Sequence, residues 1–148
     1  MAGERTVLLV EDNEDSQEIY GTVLRHQGYR VVVAEDGDSG LAAAREHRPD
    51  AMVVDVGLPG IDGVEVVRRL REDAVGRRVA VLVLTVHDQT SDRAAALAAG
   101  CDRYVVKPAD PSWVGEEVGR MLEERPTPPP PAGSEAAAAP APLPPREG

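Results

Sequence analysis

Five short apolar runs recur along this chain, at residues 6–10, 30–34, 51–55, 79–85 and 103–106, and none alternates cleanly between apolar and polar positions. Unbroken Val/Leu/Ala runs of strand length are what a parallel sheet requires when helices cover both of its faces. The stretches between them carry helical spacing instead. Ile19, Tyr20, Val23 and Leu24 make one stripe, Val64, Val67 and Leu70 another, and Val114, Val118, Met121 and Leu122 a third. Leu41 with Ala44, and Ala94 with Leu97 and Ala98, mark two Ala-rich helices. Gly28 and Gly100 follow helical stretches, and Asp110-Pro111 reads as a helix cap followed by proline at the first helical position. Strand then helix, five times over, predicts an α/β fold with a doubly wound five-stranded parallel sheet.

The chain has 148 residues, enough for one domain with a substantial core. Its arrangement predicts that domain over residues 1–125. Residues 126–148 hold nine of the thirteen prolines and the run Ala136 to Ala139. Such a segment buries too little apolar surface to order itself, so a disordered Pro/Ala-rich tail is expected. No 18-residue apolar stretch offers a membrane span, and Met1 to Arg5 runs straight into a strand without a secretory signal. A single cysteine, Cys101, excludes an internal disulfide and fits a reducing, cytoplasmic setting. Net charge is −10, which argues against direct nucleic-acid binding.

The chemistry collects where the runs end. Glu11-Asp12 closes the first, Asp55 the third, Thr85 the fourth and Lys107 the fifth. Lys107 is the one lysine among sixteen basic residues; the other fifteen are arginines. A compact ammonium reaches a single oxygen in a narrow site where a planar guanidinium does not fit. In an open α/β sheet the binding crevice lies outside the carboxyl ends of the strands, where strand order reverses. With the first and third strands adjacent there, Glu11, Asp12 and Asp55 converge. Two carboxylates about 4 Å apart repel by about 4 kcal/mol at an effective dielectric of 20, so the cluster invites a cation. An all-oxygen set with few protein groups suits Mg²⁺. With the Thr85 hydroxyl and the Lys107 ammonium added, the set has what phosphoryl transfer requires.

Each residue also has a local explanation. Asp12, taken alone, reads as the cap of the helix starting near Glu14. Asp55, ahead of Val56-Gly57-Leu58-Pro59-Gly60, fits turn chemistry, and Asp38 and Asp62 are left as turn or cap residues. Arg68, Arg69 and Arg71 read as a solvated helix face, and His26 and His47 suit helix carboxyl ends. Cys101 reads as a buried thiol. The joint placement of Glu11, Asp12, Asp55, Thr85 and Lys107 is what these explanations leave out.

The segments Val10-Glu11-Asp12-Asn13, Pro49-Asp50 through Val54-Asp55, Leu58-Pro59-Gly60-Ile61-Asp62-Gly63, Leu84-Thr85 and Val106-Lys107-Pro108 together resemble the receiver domain of two-component response regulators. The resemblance covers about residues 5–124. It implies a flavodoxin-like (βα)5 fold with strand order 2-1-3-4-5. It further implies that Asp55 accepts a phosphoryl group from a histidine kinase or histidine phosphotransfer protein. Asp12 would bind Mg²⁺ directly, Glu11 through metal-bound water, and Asp55 and the Gly57 backbone carbonyl would complete the protein ligands. Lys107 would pair with the phosphoryl oxygens ahead of a cis Lys107–Pro108 bond. Thr85 and Tyr104 would act as the switch, Tyr104 turning inward behind Thr85. Two features depart from the usual pattern: Val86 adds bulk after Thr85, and at the two places that tune phosphoryl lifetime, position 57 lacks a side chain and His87 stands two residues past Thr85.

The expectation is therefore a single-domain response regulator, a phosphoacceptor rather than an enzyme, although one that assists its own phosphorylation and dephosphorylation. It would signal in a phosphorelay by phosphorylation-dependent protein contacts through residues 90–122, with Trp113 a candidate anchor. The rivals are a receiver-like scaffold that acts without phosphorylation and a receiver segment of a hybrid histidine kinase. A metal-dependent phosphatase is disfavoured because Gly57 stands where it would need a second Asp.

Overall fold

The computed structural model of the chain describes residues 5–86, 90–107 and 109–124, with the backbone alone at 90–92. Three expectations, the Lys107–Pro108 bond, the place of His87 and the tail at 126–148, lie outside those residues. Each apolar run forms a strand: β1 (Thr6–Val10), β2 (Arg30–Ala34), β3 (Ala51–Asp55), β4 (Ala80–Thr85) and β5 (Arg103–Val106). All pair in parallel, in the order β2-β1-β3-β4-β5. The expected doubly wound sheet and its strand order are thus present.

The unbroken apolar character of β1, β3 and β4 has a simple cause. Successive side chains point to opposite faces, and both faces are covered. Leu8, Val10, Met52, Val54, Val81 and Val83 enter one apolar layer, with Leu41 and Ala44 of α2 (Gly37–His47), Val66, Val67 and Leu70 of α3 (Gly63–Leu70) and Ala96 of α5 (Thr90–Ala99). Val7, Leu9, Ala51, Val53, Leu82 and Leu84 enter the other. There they meet Tyr20 and Leu24 of α1 (Glu14–His26) and Val114, Val118, Met121 and Leu122 of α6 (Pro111–Glu124). At the sheet edge, β2 is covered less completely and leaves Val33 exposed.

Side-chain caps fix where helices begin. Asn13, Asp36, Asp62 and Asp73 each accept a backbone N–H from the third residue beyond, and the Asp36 amide donates back to the Ser39 hydroxyl oxygen. The Asp110 carboxylate accepts the Ser112 amide, placing Pro111 at the helix start as the spacing predicts. Gly28 and Gly100, with φ of 100° and 114°, take the left-handed conformation after α1 and α5.

Four details differ from the sequence reading. A short extra helix, α4 (Ala74–Arg77), follows α3, so the alternation is not strictly one helix per strand. Ile19 is 52% exposed: it falls beside the buried stripe of Tyr20 and Leu24, not within it. Asp38 lies in the first turn of α2, while its neighbour Asp36 does the capping.

Arg71 is the fourth, and the clearest correction. Its side chain is only 14% exposed and lies over the amino ends of β4 and β5. It donates to the carbonyls of Gly76, Val79 and Gly100 and to the Asp102 carboxylate at 3.1 Å. Asp102 in turn accepts the Val81 amide at 2.8 Å. Helix periodicity assigned Arg71 to a solvated face because it cannot see carbonyls that arrive from elsewhere in the chain.

Candidate functional site

Strand order reverses between β1 and β3, and the site forms outside their carboxyl ends. Glu11 continues β1 by one residue, its amide donating to the Ala34 carbonyl at 3.0 Å. The residue is 1% exposed, and its carboxylate accepts the Asn13 amide at 3.1 Å. Asp55 ends β3 and accepts the Gly57 amide at 3.1 Å. Asp12 is exposed and does not cap α1; Asn13 does, through its bond from Ser16. The local explanation for Asp12 therefore falls away. Its carboxylate joins those of Glu11 and Asp55, with one oxygen of each lying within 4.8 Å of the others.

Lys107 arrives from the end of β5. Its amide donates to the Thr85 carbonyl at 2.7 Å, and its ammonium stands 3.3 Å from both the Glu11 and the Asp55 carboxylates. Burial pushes the Glu11 carboxyl above the usual range; the Asn13 amide opposes that, Asp55 adds to it and Lys107 opposes it. Burial also disfavours the charged form of Lys107, but Asp55 and Glu11 outweigh it and hold the ammonium above its ordinary value. Glu11 thus gives up part of its preference for charge while Lys107 stays a cation.

Thr85 is buried at the end of β4, one residue past Leu84, the register partner of Asp55. Tyr104 stands in β5 opposite Val83 and is buried in the layer with Ala96 and Cys101, the Arg93 guanidinium 4.7 Å from its ring centre. Val86, expected as bulk beside the site, is 68% exposed. A Cβ built on Gly57 would meet Asp55 at 3.9 Å, an ordinary contact, so no close approach explains the bare backbone there. Trp113 is exposed on the first turn of α6.

The residues fit a hard divalent cation. One ammonium against three carboxylates leaves two negative charges uncompensated in a partly buried cluster, and every donor is oxygen. Two supporting residues escaped the sequence reading. Asn13 stands out in the sequence only as the last residue of the Val10–Asn13 motif, not as a cap. Gln17 donates from α1 to the Glu11 carbonyl at 2.7 Å and carried no motif signal at all.

The profile of the response regulator receiver domain matches residues 7–118. The chain belongs to the receiver family. Its relatives include the transcriptional regulatory protein AfsQ1 of Streptomyces coelicolor, 39% identical over 120 residues, which are 81% of this chain and 48% of AfsQ1. Another is the transcriptional regulatory protein PrrA of Mycobacterium tuberculosis, 44% identical over 102 residues, 69% of this chain and 43% of PrrA. This receiver thus spans about half the length of the curated relatives it matches. Among solved structures it is similar to the receiver domain of the sensor histidine kinase PA1611 from Pseudomonas aeruginosa, which has a magnesium ion coordinated in its active-site cleft. That likeness has a TM-score of 0.75 and 35% identity, and covers 82% of this chain and 99% of the other. Like its family, this is a receiver of two-component signalling. Among the described residues no helix is long and apolar enough to cross a membrane.

Proposed function

We propose that this receiver accepts a phosphoryl group on Asp55 from a phosphohistidine of a histidine kinase or histidine phosphotransfer protein in the cytoplasm. The carrying observation is the pairing of Asp55 with Lys107 at 3.3 Å inside a three-carboxylate cluster. Glu11 and Asp55 both touch the ammonium, but Glu11 is 1% exposed and committed to the Asn13 amide, whereas Asp55 is part-exposed at the end of β3. An oxygen of Asp55 attacks phosphorus, the phosphorus–nitrogen bond breaks, and its electron pair stays on the imidazole. The product is an acyl phosphate.

Glu11, Asp12, Asp55 and the Gly57 carbonyl would hold Mg²⁺, which supplies charge neutralisation to the transferred group. Lys107 would neutralise a phosphoryl oxygen on Asp55, and the Thr85 hydroxyl, at the next strand end, would bond another. Transfer adds about −1.5 to −2 charge, and that charge favours whichever arrangement of Thr85, Tyr104 and Lys107 bonds it best. Tyr104 already stands inward under Arg93, so a change at Thr85 would reach α5 through it. The signal then leaves through protein contacts of residues 90–122, where Trp113 is exposed.

The test is incubation with a small phosphodonor and Mg²⁺, followed by intact mass. Wild type should take up one phosphoryl group, and a chelator or Asp55→Asn should abolish uptake. Undiminished uptake by Asp55→Asn would exclude the assignment; no uptake by wild type would favour a scaffold that acts without phosphorylation.

A further inference from the structure

Tyr20 does more than fill the apolar layer between α1 and the sheet. It is 7% exposed, packed among Leu9, Leu84 and Val105, and its hydroxyl donates to the Ala109 carbonyl at 3.2 Å. Ala109 lies two residues past Lys107, in the connection from β5 to α6. Proline at 108 has no N–H of its own to offer as an anchor there. The Lys107 backbone is held on the strand side by the Thr85 carbonyl at 2.7 Å, and the segment beyond it is held at Ala109 by Tyr20.

The same helix also reaches the acidic side of the site. Gln17, one turn earlier on the same face of α1, donates to the Glu11 carbonyl at 2.7 Å. One turn of α1 thereby ties the loop carrying Glu11 and Asp12 to the loop carrying Lys107. Burial pushes the Tyr20 phenol up, against the opposing charge of Lys107, so the hydroxyl remains a donor at neutral pH.

We propose that Tyr20 is a positioning residue for Lys107: its hydroxyl, delivered from α1, pins the Ala109 carbonyl and so sets the depth at which the ammonium reaches Asp55. This rests on the reading of Asp55 as phosphoacceptor for its consequence, though not for its geometry. A phenyl ring at this position would keep the apolar packing and leave α1 in place, while the pin on the loop would be lost.

Tyr20→Phe separates the pin from the packing. Because the chain has one lysine, isotope-labelled lysine gives a single resonance that reports Lys107 in the metal-free, unphosphorylated protein. Asp55→Asn should displace that resonance in wild type, and in the Tyr20→Phe background the displacement should shrink by at least half. Labelling by a small phosphodonor should slow about three- to tenfold in Tyr20→Phe. On a Lys107→Ala background, Tyr20→Phe should cause no further slowing, which a general structural defect would not reproduce. An undiminished displacement in Tyr20→Phe, or an equal slowing with and without Lys107, would overturn the proposal. A diminished displacement in a protein that takes no phosphoryl group would uphold the pin and remove the phosphoacceptor reading instead.

Discussion

A Cβ on Gly63 would lie 2.5 Å from the backbone carbonyl oxygen of Asp55. The first residue of α3 therefore abuts the phosphoacceptor candidate directly, and the Gly63 amide donates to the Val56 carbonyl at 3.0 Å beside it. That contact is with backbone, which cannot rotate away as a flexible side chain could. Gly63→Ala should destabilise the domain by about 1–3 kcal/mol, the usual range for forced overpacking, and slow labelling of Asp55 as well. Urea unfolding and phosphodonor labelling check both parts, and unchanged stability would mean that the helix simply shifts.

Arg71→Ala should cost about 2 kcal/mol, because it removes the donor shared by the part-buried Asp102 carboxylate and the Gly76, Val79 and Gly100 carbonyls. Arg71→Lys should recover only part of this, since one ammonium cannot span acceptors that converge from α4, from Val79 just before β4 and from the α5–β5 loop. Denaturant midpoints at a common slope measure both. A loss below 1 kcal/mol would show the clasp to be solvated.

The fold was legible in the sequence because β1, β3 and β4 are buried on both faces and their apolar runs have no other use. Most of the site was legible for a related reason: Glu11, Asp55, Thr85 and Lys107 each stand at or just past the end of such a run. What stayed hidden depends on contacts across the chain. Arg71 looked like its solvated neighbour Arg68, which pairs locally with Glu65. Tyr20 looked like core, and in a chain with no phenylalanine the choice of tyrosine carries no signal. Asp12, taken alone, reads as a helix cap, and only the bond from Ser16 to Asn13 removes that reading.

Acid stability should carry a signature of Glu117. Burial pushes its carboxyl up, but hydrogen bonds from Arg103 and Arg120 outweigh that and hold it below its ordinary value of 4.5. A depressed folded-state value stabilises the fold above the unfolded value and is lost as pH falls through the folded one. Glu117→Gln should lower stability by about 1 kcal/mol at neutral pH, discounted for partial exposure, and should flatten the decline below about pH 4.5. Thermal melts across that range check it, and parallel wild-type and variant curves would contradict it.

Lys107→Arg should not behave as a conservative change. The guanidinium is broader than the ammonium that now reaches Glu11 and Asp55 at 3.3 Å, so it should sit higher in the crevice. Labelling should fall about tenfold, the value of one charge-assisted hydrogen bond. Trp113 fluorescence should change less on phosphorylation than in wild type. A full wild-type response would show that any cation at this position suffices.

The most direct test of the central claim locates the phosphoryl group itself. Borohydride reduces an acyl phosphate to the alcohol, converting a phosphorylated aspartate to homoserine, which peptide mass spectrometry places in the sequence. After incubation with a small phosphodonor and Mg²⁺, homoserine should appear at position 55 and at no other aspartate. Homoserine at position 12, or an unreduced chain carrying phosphate elsewhere, would contradict the account.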